Sequence, residues 1–358
     1  MAVRWSVLWS AVLGVAVVVA GCAKGPGGPA SGVVTLTGAG ATFPFPLYSK
    51  WFDEYSKVNP QVRINYQSIG SGGGIQQLKA GTVDFGASDA PLSDEEQKAM
   101  PAPVVHIPTV AGAVVLAYNL PGLRKPLRLS PDVIAGIYLG EIERWNHQRI
   151  AAINPGVRLP NTAIAVAHRS DGSGTTYIFT RYLAAISRPW DDRVGAGKSV
   201  NWPIGVGGKG NEGVTGLVKQ TPGGIGYVEL AYAAQSKLPY ATVRNAAGNF
   251  VEPSIASTTA AAAGAVAAMA KDVRASIANS NAADAYPIAG FTYILIYRDQ
   301  KDAAKGEALA KFLGWAIRDG QRFAADLLYA PLPKDVVAID EAALRTLRLS
   351  GATAASER

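Results

Sequence analysis

The chain has one cysteine, Cys22, and three histidines, His106, His147 and His168, in 358 residues. A lone cysteine excludes an intrachain disulfide. So few soft ligands also argue against a His/Cys metal centre. Charged residues make up only 17% of the chain, and no Lys/Arg run is interleaved with aromatics, which counts against a nucleic-acid partner. The one long apolar run, Val7 to Ala20, is too short for a stable membrane span. Low charge is paired with 48% hydrophobic residues, too apolar a composition for a disordered chain. The net charge of +7 suits mild attraction for anions; scattered surface lysines would give the same balance.

The N-terminus indicates a compartment. Arg4 precedes the apolar run, and Val19-Ala20-Gly21-Cys22 follows the pattern of small residues before a lipidated cysteine. Residues 1–21 are expected to be a removable signal peptide, with Cys22 as the lipid-bearing new N-terminus. Cleavage elsewhere in this Ala/Gly-rich region is the alternative. Residues 22–32, rich in Gly and Pro, then form a flexible tether.

The most informative run is Arg169-Ser170-Asp171-Gly172-Ser173-Gly174-Thr175-Thr176, just ahead of a helical stretch from Tyr177 to Ile186. Glycines allow successive N–H groups to point at one spot. A helix N-terminus adds unpaired donors and partial positive charge. Arg supplies a planar fork that matches two oxygens of a tetrahedral anion. Two more segments share this grammar. Gly38-Ala39-Gly40-Ala41-Thr42-Phe43-Pro44 precedes the amphipathic stretch Leu47 to Lys57, with Thr42 where an N-cap would sit and Pro44 suited to a first helical turn. Ile69-Gly70-Ser71-Gly72-Gly73-Gly74 precedes a helical Ile75 to Ala80. Three such turns and an Arg suggest helix N-termini converging on one oxyanion.

A fourth segment, Asp84 to Leu92, ends a short apolar run with Asp89. An ionised Asp only accepts hydrogen bonds. It would repel a fully ionised sulfate yet accept the proton of a hydrogenphosphate, so Asp89 has the chemistry of a selectivity filter. Local sequence alone also allows Asp89 to cap a turn before Pro91, and from that evidence alone the turn is the stronger reading.

Other motifs carry less. Gly205-Val206-Gly207-Gly208-Lys209-Gly210 fits G-x-G-x-x-G, but it lies deep in the chain after Trp202-Pro203, which favours a structural loop over a dinucleotide site. Asp192 to Ser199 misses a Walker A motif because Asp192 occupies the first Gly position. His168 beside the anion loop invites a general-base reading with Ser173 as nucleophile. Strand alternation, however, points His168 and Arg169 to opposite faces, and no nucleophile-elbow pattern surrounds Ser173.

Strand-like and helix-like runs alternate. Strands are expected at Val33–Thr37, Val62–Gln67, Phe85–Ala87, Ala111–Tyr118, Ala163–Ala167, Ile225–Val228, Ala241–Arg244 and Tyr293–Tyr297. Helices are expected from Ser93 (a capping box with Glu96), from Ser130, and over Lys301–Arg318. The alanine-rich Ser254 to Ala270 reads as surface decoration. This alternation predicts an α/β fold whose ligand lies outside the carboxyl ends of its strands.

Six stretches resemble the extracytoplasmic phosphate-binding proteins of Pst-type ABC transporters: LTGAGATFPFPLYSKW (36–51), NYQSIGSGGG (65–74), TVDFGASDAPLSDEE (82–96), RSDGSGTTYIFTRYL (169–183), WPIGVGGKGNEGV (202–214) and GGIGYVELAYA (223–233). The resemblance extends from about Leu36 to near Leu349. It implies two α/β lobes with a hinge: lobe I over 33–116 and 288–349, lobe II over 117–287, and a tail over 350–358. It implies phosphate ligands at Thr42, Phe43, Ser71, Asp89, Arg169, Ser173, Gly174 and Thr175, with Asp171 orienting Arg169. It implies a binder with no catalytic residues and no cofactor. The expected partners are inorganic phosphate, a membrane permease with its cytoplasmic ATPase, and a membrane reached through lipid on Cys22. An exported phosphatase, or a binder of sulfate or molybdate, remains the alternative. One departure is Gly72, where relatives often carry a second Ser.

Overall fold

The computed structural model describes residues 32–123 and 125–349. The expected signal peptide, Cys22, the tether up to residue 31 and the tail from residue 350 lie outside the described residues.

One eight-stranded mixed sheet runs through the molecule. Its strands are β1 (Val34–Gly40), β2 (Val62–Ser68), β3 (Phe85–Ser88), β4 (Val104–Tyr118), β5 (Ala165–Arg169), β6 (Val206–Gly208), β7 (Gly224–Glu229) and β8 (Ala289–Tyr297). Their spatial order is β2-β1-β3-β8-β4-β7-β5-β6. Parallel pairs flank the sheet on both sides, β1 with β2 and β3, and β5 with β6 and β7. Antiparallel pairing joins β8 to β3 and to β4 at the centre. The fifteen-residue β4 serves both halves. Its residues Val104–Ala113 pair with β8, and Val114–Tyr118 pair with β7. The two halves are the two lobes of an α/β fold, and β4 passes from one to the other.

Each lobe has its own aromatic core. In the first, helix α1 (Phe45–Val58) buries Leu47, Tyr48, Trp51 and Tyr55 along one face. Tyr48, Phe52, Tyr66 and Phe85 pack ring against ring there, and Phe52 reaches Phe312 on the helix Ala303–Ala316. In the second lobe, Tyr138, Phe179, Trp202 and Tyr227 form the corresponding cluster. Aromatic pairs in such tilted and offset arrangements contribute about 0.5–1.5 kcal/mol each beyond their buried area.

Several local expectations change. Pro44 is the N-cap of α1 and Pro46 occupies its first turn, so Thr42 does not cap this helix; its side chain is engaged across the lobes instead. Helix α2 (Ser71–Ala80) starts four residues earlier than its apolar pattern, because Gly70 at φ 88° supplies the turn and Ser71 opens the helix. Helix α3 (Gly174–Ile186) likewise begins inside the glycine-rich run, capped by Ser173, whose Oγ accepts the Thr176 N–H at 3.0 Å. The alanine-rich segment is not surface decoration. Ser254 and Ser257 cap a helix over Ile255–Ala263, which packs on β4 and β8 and buries Thr258, Ala261 and Ala262. Small side chains let it lie close to the sheet. Ser93 and Glu96 do form a reciprocal capping box.

Candidate functional site

The four candidate segments follow the carboxyl ends of β1, β2, β3 and β5. Three of these loops come from the first lobe and one from the second. All of Thr42, Phe43, Ser71, Asp89, Arg169, Ser173, Gly174 and Thr175 are buried.

The β1 loop is held by tyrosines. Tyr66 donates to the Ala41 carbonyl at 2.8 Å, Tyr232 to Thr42 at 2.5 Å and Tyr329 to Phe43 at 2.7 Å. Three consecutive carbonyls, the groups that would repel an anion, are thus engaged by O–H donors. Gly40, at φ 145°, lets the strand end against β3; a Cβ there would lie 2.0 Å from the Ala87 carbonyl oxygen.

The lobes meet at backbone. The Gly72 N–H donates to the Gly172 carbonyl at 2.8 Å, and the Gly174 N–H to Ser71 Oγ at 3.0 Å. A Cβ on Gly174 would come within 2.5 Å of Asp89 Cβ, and one on Gly72 within 3.0 Å of Gly172 Cα. Gly72, the departure in the sequence, therefore sits in the seam where its missing side chain allows close approach. Lys198 reaches across to Glu96 at 2.7 Å, while its carbonyl accepts the Ser173 N–H at 2.8 Å.

Arg169 is fixed by a two-toothed pair with Asp171, Nε to Oδ1 at 2.7 Å and an Nη to Oδ2 at 2.5 Å. Burial alone would raise the Asp171 carboxyl. The Arg169 bonds and charge, with the N–H of Gly210, outweigh it and hold Asp171 below the usual carboxylate range. The pair orients the guanidinium so that its other Nη reaches Thr175 Oγ1 at 3.4 Å. His168 faces the other way and stacks on Trp202 at 5.0 Å.

Asp89 behaves oppositely to Asp171. Its burial pushes it up to about 7, against the lowering influence of Thr292, Arg169 and Thr175. Thr292 donates to Asp89 Oδ1 at 2.8 Å from the point where the β8 register shifts, a bulge that re-aims a strand side chain toward the site. The turn-capping alternative for Asp89 finds no support: the short turn to Ala90 is held by Ser88, whose Oγ accepts the Ala90 N–H.

Three groups escaped sequence reasoning. Asn211 opens helix α4 (Gly210–Gln220) and bonds Thr42 and Thr175. Tyr227 accepts the Arg169 N–H and bonds Thr176. Thr292 is the one threonine in the mostly apolar strand β8. Asn211 and Tyr227 lie in quoted family stretches, which marked their neighbourhoods without assigning roles.

The chain matches the model for the PBP superfamily domain over residues 26–319. It is 47% identical over 305 residues to the phosphate-binding protein PstS of Xylella fastidiosa (strain 9a5c), covering 85% of this chain and 83% of the relative. To the phosphate-binding protein PstS of Haemophilus influenzae it is 46% identical over 308 residues, 85% of this chain and 90% of that one. The chain belongs to the PstS family of the PBP superfamily. A solved structure of a high affinity periplasmic phosphate-binding protein with bound phosphate shares the fold, with a TM-score of 0.69 at 23% identity, covering 88% of this chain and 96% of the other. No helix among the described residues is long and apolar enough to cross a membrane, and these residues contain no group of three or more metal-binding side chains.

Proposed function

We propose that this chain binds inorganic phosphate outside the cytoplasmic membrane and delivers it to an ABC-type permease with its cytoplasmic ATPase. The observation that carries the reading is the donor pattern around Asp89. A hydroxyl has one proton and two acceptor positions. Ser71 Oγ accepts the N–H groups of Gly174 and Asp89, at 3.0 and 3.3 Å. Thr42 Oγ1 accepts both donors of Asn211, at 3.2 and 2.8 Å. Thr175 Oγ1 accepts from Arg169 and Asn211, at 3.4 and 3.2 Å. Each hydroxyl has its acceptor positions filled, so each is left to donate. Around these donors Asp89 is the acceptor, as a monoprotonated oxyanion requires.

In this reading the open lobes admit hydrated phosphate. Thr42, the Phe43 N–H, Ser71 and Asp89 bind from lobe I, and Arg169, Ser173 and Thr175 from lobe II, with the Gly174 N–H exchanging Ser71 Oγ for the anion while the Asp89 N–H stays on Ser71. Closure replaces water with fixed donors. Charge-assisted bonds contribute about 1.5–3 kcal/mol each, and desolvation of the anion offsets much of that. Asp171 orients Arg169. Lobe I is assigned to 33–116 and 288–349, and lobe II to 117–287, hinged where β4 passes between them. Lipid on Cys22 anchors the chain to a membrane.

The phosphatase alternative is disfavoured because its candidate base is turned away: His168 stacks on Trp202 and does not face Ser173. Equilibrium dialysis of the chain from Lys24 onward with inorganic phosphate, beside a phosphomonoester hydrolysis assay, tests the proposal. Saturable one-to-one binding without turnover supports it. Turnover, or no binding after removal of co-purified ligand, overturns it.

A further inference from the structure

Asn211 is fully buried at the second position of α4 and bridges the two lobes. Its amide orientation is fixed. The Glu229 N–H points at Asn211 Oδ1 at 2.9 Å, so the carbonyl oxygen must face Glu229 and the NH2 group must face the site. That NH2 group reaches Thr42 Oγ1 at 2.8 Å and Thr175 Oγ1 at 3.2 Å. The Asn211 backbone N–H, one of the unpaired donors of a helix start, adds a second bond to Thr42 at 3.2 Å. One residue therefore occupies acceptor positions on two hydroxyls from opposite lobes.

We propose that Asn211 is a positioning residue that forces Thr42 and Thr175 to act as hydrogen-bond donors toward the ligand, and that it acts on Thr42 only when the lobes are together. This inference rests on the phosphate-binding reading above. The chemistry is specific to an amide. A hydroxyl that receives two N–H bonds cannot turn its proton toward them, so the proton is free for an anion. An aspartate in the same place keeps the acceptor for Glu229 but offers a second acceptor in place of the NH2 group. The hydroxyl protons of Thr42 and Thr175 would then turn toward residue 211 and present lone pairs to the ligand. Closure also becomes coupled to recognition, because Thr42 gains both bonds from the opposite lobe.

The test measures phosphate affinity for the parent chain, Asn211→Asp, Asn211→Ala, Thr42→Val and the Asn211→Asp/Thr42→Val double variant, with thermal unfolding of each. Each lost charge-assisted bond corresponds to roughly a tenfold weakening or more. Asn211→Ala is expected to weaken phosphate binding roughly tenfold. Asn211→Asp, closer in size and keeping the Glu229 bond, is expected to weaken it by more than about 100-fold, with an unfolding temperature nearer the parent's than alanine gives. In the Thr42→Val background the aspartate penalty should shrink by about tenfold, because the hydroxyl it would turn is gone. An alanine penalty equal to or larger than that of aspartate would assign Asn211 a packing role and overturn the proposal. An undiminished aspartate penalty in the Thr42→Val background would assign the effect to charge alone and overturn it too. If Asn211→Ala does not fold, the cycle with Thr42→Val still decides. A parent chain that does not bind phosphate is a separate result, which removes the functional reading itself.

Discussion

The two halves of the site are built from similar glycine-rich turns but divide the electrostatic work unequally. The lobe II half carries the cation. Arg169 is buried and locked to Asp171, which that pairing holds ionised. The lobe I half has no cation among its candidate ligands and instead holds Asp89, whose burial pushes it up to about 7. In the proposed reading these two carboxylates, shifted in opposite directions, have opposite tasks. Asp171 orients a positive charge and never needs its proton. Asp89 sits where a shared proton distinguishes one oxyanion from another. Burial is common to both; the difference is a bidentate arginine on one and hydroxyl donors on the other. In that reading charge for attraction comes from one lobe and the proton test from the other, so full recognition requires closure.

The largest expected effect breaks the cationic half. Arg169→Ala should reduce phosphate affinity by more than about 1,000-fold while leaving the fold cooperative, measured by dialysis and thermal unfolding. Removing one partner of a buried pair costs about 3–5 kcal/mol, and here it also removes the anion's counter-charge. Retained binding within tenfold would show that the donors of lobe I suffice.

Next is a block to closure. Gly174→Ala puts a Cβ within 2.5 Å of Asp89 Cβ and 2.6 Å of its backbone nitrogen, in backbone that cannot swing aside. Phosphate affinity should fall about 100-fold, with thermal stability of the unliganded chain changed much less. A comparable loss of stability would place the damage in α3 rather than in lobe contact.

Asp89→Asn sharpens the comparison instead of breaking it. An amide donates where the carboxylate repelled, so sulfate binding should become measurable while phosphate binding weakens by about tenfold. Undetectable sulfate binding by the variant would end the filter idea.

The smallest effect is on pH dependence without ligand. Asp89 in the folded chain lies near 7, above its ordinary value of 3.8, so the folded state holds a proton that the unfolded state releases. That contribution is fully present below about pH 4 and is lost as pH rises through 7. Glu229 and Asp340, also raised by burial, act in the same direction. Asp89→Asn should therefore flatten, without abolishing, the fall in unfolding temperature between about pH 4 and 7. An identical slope would mean that Asp89 is ionised throughout.

Much of this was legible in the residues. Glycine-rich turns between apolar strands and amphipathic helices pointed to loops at strand ends, and Arg169 beside Asp171 suggested an oriented fork. Alternation placed His168 away from the site, where it stacks on Trp202. What was not legible depends on contacts distant in sequence. Asn211 and Thr42 are 169 positions apart, and Thr292 and Asp89 are 203 apart. Nothing local distinguishes these polar residues from surface ones. The helix starts were misread for a related reason: Gly70 and Ser173 begin α2 and α3 by backbone conformation and capping, before any apolar periodicity appears. The alanine-rich helix was misjudged because small residues look undemanding until a sheet lies against them.

The most direct test of the central claim is a pair of calorimetric titrations of the parent chain, stripped of co-purified ligand, with phosphate and with sulfate near pH 8, where sulfate is fully ionised and phosphate keeps one proton. The account predicts one-to-one phosphate binding in the micromolar range or tighter, about −8 kcal/mol or more favourable, and no sulfate signal at millimolar concentration. Sulfate binding of comparable strength would contradict it, since the site would then respond to charge and shape while ignoring the proton that Asp89 is placed to accept.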